Sequence, residues 1–151
     1  MEIVAVGVVA KTIGPEIIVK SITSAASGIV SGIKYFISTP SSRKDIKDIQ
    51  DLIERLDIEA EIQVIEAYVK DYQNINDKEA ISIALTNLSD IINKLHKEID
   101  TIKEKVEQDS KLTYIGSWWY GYSNLTGHFG NIEMYWSRLT KRFKLLRNVK
   151  N

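Results

Sequence analysis

The chain of 151 residues contains no cysteine. This excludes disulfides, thiolate metal sites and cysteine nucleophiles, and it agrees with a reducing, cytoplasmic setting. Histidine is nearly as scarce. Neither His96 nor His128 has a glutamate three residues before it, so the Glu-x-x-His pairs of di-iron bundles are missing. No Walker loop, GxGxxG, HExxH or GxSxG motif occurs either, although each is the local geometry that its chemistry requires. The expectation is a protein that is not an enzyme, with no metal, no cofactor and no small-molecule substrate.

Long apolar runs are also lacking. The longest charge-free stretch, Ser21 to Ile33, has thirteen residues, against the roughly 20 that an unassisted membrane span needs. Glu2 stands where a secretory signal would carry basic residues, so no standard signal is expected. The two prolines, Pro15 and Pro40, leave most of the chain free to form long helices.

Those helices are written in the periodicity. Ile81, Leu85, Leu88, Ile92, Leu95, Ile99, Ile102 and Val106 alternate spacings of four and three, which places them on one face of a single long helix. Leu125, Phe129, Ile132, Trp136, Leu139, Phe143 and Leu146 repeat the rhythm near the C-terminus. Ile46, Ile49, Ile53, Leu56 and Ala60 form a third stripe. Ile58, Ile62, Ile65, Val69 and Tyr72 form a fourth whose face is shifted. This pair predicts one long helix with a bend, started by Ser42 as N-cap with Asp45 in a capping box. Asn76 with Glu79 marks the start of the next helix.

The first forty residues carry only two Glu and three Lys. A short helix over 2–12 is expected there, then a second from Pro15, whose ring suits a first helical turn. In this second helix Ser24, Gly28 and Gly32 recur at intervals of four. Small residues at that spacing let another helix approach closely, in a membrane or in a tight soluble crossing. The expected fold is an all-α, up-and-down bundle. Its four major helices cover 15–38, 42–73, 76–109 and 124–149, with the short N-terminal helix in addition, all in one domain.

Charge is balanced overall but segregated. Residues 43–109 carry seventeen acidic and ten basic groups, whereas 137–151 carry six basic and none acidic. Arg138, Lys141, Arg142, Lys144 and Arg147 make the last helix a basic surface, suited to lying against the acidic helices of the same molecule or of a second copy, or to an anionic membrane. The carboxylates from Asp45 to Glu66 read as a solvated face. Between the last two helices Tyr114, Trp118, Trp119, Tyr120 and Tyr122 cluster. Such residues either cap a bundle end or anchor an interface with protein or lipid. Nucleic acid is not an expected partner, since Lys111 is the one basic residue nearby. His96 reads as a boundary residue of the long helix.

The apolar N-terminus with the run Ser24-Ala25-Ala26-Ser27-Gly28-Ile29-Val30-Ser31-Gly32-Ile33, followed by acidic and heptad-like helices, resembles the HeLo-like and mixed lineage kinase domain-like N-terminal helical bundles. The resemblance implies a membrane-targeting or pore-forming cell-death module. The residues themselves point to an interaction module that associates with itself or another protein, with an anionic membrane as a further partner. The competing expectation is a structural or assembly scaffold, such as a small helical component of a large viral particle, with no membrane role.

Overall fold

The eight seam residues from Ile81 to Val106 are all buried along one helix of 32 residues. In the computed structural model, which describes residues 14–72, 79–112 and 121–150, five helices pack together. They are α1 (Pro15–Ser38), α2 (Lys44–Arg55), α3 (Ile58–Lys70), α4 (Glu79–Ser110) and α5 (Thr126–Lys150). The fold is an all-α bundle, as the periodicity requires. The expected helix over 2–12 and the Asn76 cap lie outside the described residues.

α1 begins where Pro15 fixes the first turn after an extended Gly14. Its buried stripe is Val19, Ile22, Ala25, Ala26, Ile29, Ile33 and Phe36. By length and composition alone, Glu16–Ser38 is apolar enough to cross a membrane, with 39% of the window buried in the bundle. α1 ends where the Thr39 hydroxyl donates to the Tyr35 carbonyl at 2.6 Å.

The expected single helix over 42–73 is two helices. Leu56 closes α2, and Asp57 takes the left-handed backbone conformation at φ 54° before α3 starts. Aspartate tolerates this region better than most residues. The break lets Ile46, Ile49 and Ile53 bury in one direction while Ile58, Ile62, Ile65 and Val69 bury in another. A continuous helix could not satisfy both stripes, because its face turns steadily with sequence. Ser42 is not the cap either. Arg43 holds that position, and Asp45 binds it rather than closing a capping box.

Pairings between helices give the topology. Ser21 meets Ser89 at 3.1 Å and the Lys103 ammonium sits 5.2 Å from the Tyr35 ring centre, so α1 and α4 run parallel. Asn131 reaches Glu98 at 3.2 Å and Arg142 reaches the Asn87 carbonyl at 2.9 Å, so α5 returns antiparallel to α4. α3 lies antiparallel to α1, with Ile62 and Glu66 beside Ser27 and Ser31 while Ile58 lies beside Ile33. α1, α3, α4 and α5 therefore alternate up and down, and α2 is a shorter piece lying along the first half of α5, from Arg43 at Ser123 to Arg55 at Glu133. Tyr68 of α3 ties this layer to α5 through an edge-on contact with Phe143 at 5.3 Å.

Candidate interaction surfaces

Gly28 and Gly32 lie against α4. A side chain at Gly28 would run into the His96 ring, and one at Gly32 into the Cγ2 methyl of Ile99. Ser24, expected on the same line, is exposed. Ser21 takes the polar place in the crossing instead, meeting Ser89 and accepting a hydrogen bond from the Asn93 amide at 2.9 Å. Spacings of four and three connect Ser21, Ala25, Gly28 and Gly32, whereas the sequence reading followed a strict interval of four. A helix face drifts away from such a row by about 40° per four residues at 3.6 residues per turn.

The far end of the bundle is closed by a charged clamp. Asp109 is 7% exposed and falls three residues after Val106, at the next position of the seam. Its carboxylate accepts from Arg43 Nη1 at 2.7 Å and from the Ser123 backbone amide and hydroxyl at 3.0 and 3.1 Å. Arg43 also donates to Asp45 and to the Ser123 carbonyl at 2.8 Å. Burial lowers the Arg43 pKa, but hydrogen bonds to Asp45 and Asp109 outweigh it and hold the guanidinium above its ordinary value. Tyr122 lies over that guanidinium, 4.7 Å from ring centre to Cζ, with its outer side exposed. Of the five aromatic residues in the cluster, Tyr114, Trp118, Trp119 and Tyr120 fall outside the described residues.

A second polar cluster joins α4 to α5. His128 Nδ1 contacts Glu98 Oε2, and its Nε2 faces the Lys105 ammonium at 2.9 Å. An ammonium can only donate, so Nε2 accepts and Nδ1 carries the proton toward Glu98. Asn131 also donates to Glu98. The imidazole thus bridges an acid and a base one heptad apart on α4. Both ring nitrogens are therefore partnered by side chains of α4. The sequence clue was that seven-residue interval between Glu98 and Lys105, facing a histidine next to Phe129 of the neighbouring seam.

The basic residues of α5 do not form one surface. Arg142 is tied to α4 through the Asn87 carbonyl and Asp90. The Arg147 guanidinium lies 4.9 Å from the centre of the Phe143 ring, and Lys144 is exposed. Arg138 and Lys141 instead share an exposed face with Met134, Leu145 and Val149, at spacings of four and three. Leu145 is 59% exposed and borders a shallow apolar depression with Ile83, which is 55% exposed. At the opposite end of α5, a groove of about 410 Å³ separates it from α2. Ile49, Leu52, Leu125 and Phe129 make its apolar floor, with Asp48, Asp51 and Arg55 on its rim, where Arg55 faces Glu133 at 3.7 Å.

Among the described residues, no group of three His, Asp or Glu side chains could hold a metal ion. The fold defines the class of the protein as an all-α helical bundle. Comparison with protein-family models, curated proteins and solved structures finds no match for the chain.

Proposed function

We propose that the chain is a non-enzymatic helical-bundle module that associates with itself through helix surfaces. The observation that carries this reading is the exposed face of α5 formed by Met134, Arg138, Lys141, Leu145 and Val149. The bundle buries the regular seams of α4 and α5, yet leaves this stripe facing water. Large apolar side chains beside cations on one helix face are suited to docking, since each shed area of apolar surface stabilises the contact at about 25 cal/mol per Å² before association costs. Sedimentation velocity across a range of protein concentrations tests it. A mass that stays monomeric with and without anionic vesicles removes the reading.

A membrane role is the second reading, supported by the length and apolarity of α1 and by the layout resemblance to HeLo-like bundles. It requires α1 to leave the bundle, because Val19, Ile22, Ile29, Ile33 and Phe36 are all at most 1% exposed. Flotation with anionic liposomes is the test. Equal flotation of the intact chain and a chain lacking residues 1–40 would show that α1 is not the membrane element.

A further inference from the structure

We propose that the exposed stripe of α5 docks into the acid-rimmed groove between α2 and α5 of a second copy, giving a head-to-tail association. This rests on the self-association reading and names its two surfaces. The groove has an apolar floor, and its rim carboxylates Asp48 and Asp51 are exposed and make no ion pair among the described residues. Asp45, on the same helix, is already neutralised by Arg43 at 2.8 Å. The stripe has the opposite character: Met134, Leu145 and Val149 are its apolar residues, and Arg138 and Lys141 are exposed cations without an ion pair among the described residues. Each surface supplies the charge and apolar area that the other leaves unpaired.

The two surfaces cannot meet within one molecule. Thr126 lines the groove at the start of α5, while Leu145 and Val149 sit near its end. Some twenty helical residues separate them, or about 30 Å at 1.5 Å per residue. α5 is continuous over that length, so the stripe must find the groove of another copy. An interface joining two different patches is heterologous, and it leaves a free groove at one end of the pair and a free stripe at the other. One helix face in one groove is a small contact of the transient class, so the association is concentration-dependent and weakened by salt.

Two variant chains test the pairing: Asp48→Lys with Asp51→Lys in the groove, and Lys141→Asn with Leu145→Asn on the stripe, the second left neutral so that it cannot complement the reversed groove. All four positions are exposed, so each variant is expected to retain the wild-type helical circular dichroism and to melt near it. The wild-type chain should gain mass with concentration, and each variant alone should associate at least tenfold more weakly. Mixed together, the variants retain one intact stripe and one intact groove. They should form a 1:1 pair that grows no further.

If the wild type associates but either variant does so equally well, or the mixture stays monomeric, the pairing is overturned while self-association stands. A wild type that is monomeric at every concentration overturns both. If the stripe variant loses binding to anionic vesicles while the groove variant keeps it, and neither differs from wild type in mass without lipid, the stripe is a lipid surface and the pairing is wrong.

Discussion

Arg43 and Asp109 stand 66 positions apart and meet at 2.7 Å where the connection before α2, the end of α4 and the approach to α5 come together. One carboxylate thereby ties two connections to the end of α4. Asp109→Ala would leave the guanidinium with a lost partner and strip the Ser123 amide of its acceptor. Removing one member of a buried pair destabilises by about 3–5 kcal/mol, and the partial exposure of Arg43 puts the expected loss near the lower end, about 3 kcal/mol. Arg43→Lys should lose about 1–2 kcal/mol, because an ammonium cannot reproduce the guanidinium fork. Urea unfolding followed by circular dichroism reads both values.

The two glycines of α1 should respond differently to alanine. Each substitution gains about 1 kcal/mol of helix propensity. At Gly28 the obstacle is the ring of His96, whose side chain is 29% exposed and pairs with Asp100 at 3.2 Å on the outside. That ring can swing toward water, so Gly28→Ala should end within about 1 kcal/mol of neutral. At Gly32 the obstacle is a branched methyl of Ile99, which is fully buried. Overpacking of about 1–3 kcal/mol then exceeds the propensity gain, and Gly32→Ala should lower the urea midpoint. Equal effects at both positions would show that the crossing does not depend on Ile99.

Asp57 carries the backbone strain of the α2–α3 junction. A β-branched residue is poorly accommodated at positive φ, so Asp57→Val should destabilise the chain by about 1–2 kcal/mol. Asp57→Asn should stay within about 0.5 kcal/mol, since asparagine shares the tolerance for this conformation. Thermal melts of the two variants separate strain from loss of the acidic side chain. An equal fall in both would point to the charge.

Alkali should find Tyr72. Burial, joined by the hydrogen bond to the Tyr68 hydroxyl, raises its phenol well above the ordinary value. A raised folded value means that the neutral form is favoured in the native state. Its stabilising effect is therefore complete below the unfolded value of about 10 and is lost as pH rises from there through the folded value. Ultraviolet titration should show a late tyrosine component to which Tyr72 contributes, beside Tyr35, whose phenol burial and Glu107 also raise. Tyr72→Phe should reduce that late component and lessen the alkaline fall in stability.

The seams of α4 and α5 could be read from sequence because strict four-three spacing has one geometric solution, and it held through Gly127 and Gly130. The junction at Asp57 was written as the phase change between Ile53 and Ile58. A bend and a break produce the same shift in spacing, and only the φ of one residue distinguishes them. The clamp was hidden by chemistry: Asp109 continues the seam in position but not in polarity, and its partner lies in a distant loop. Gly28 and Gly32 were legible as a close approach, whereas the neighbour they admit was not. Helix faces announce that they need a partner without saying which. The stripe on α5 was obscured because its basic residues suggested a charged surface, while its exposed Leu145 and Val149 flank the last residue of the buried seam, Leu146.

The parallel pairing of α1 with α4 also sets an order of events during synthesis. Ser21 waits for Ser89, 68 positions later, and at about 5–20 residues per second that is a delay of roughly 3–14 seconds. Throughout that interval α1, the most apolar of the described helices, is without the α4 face that completes its cover.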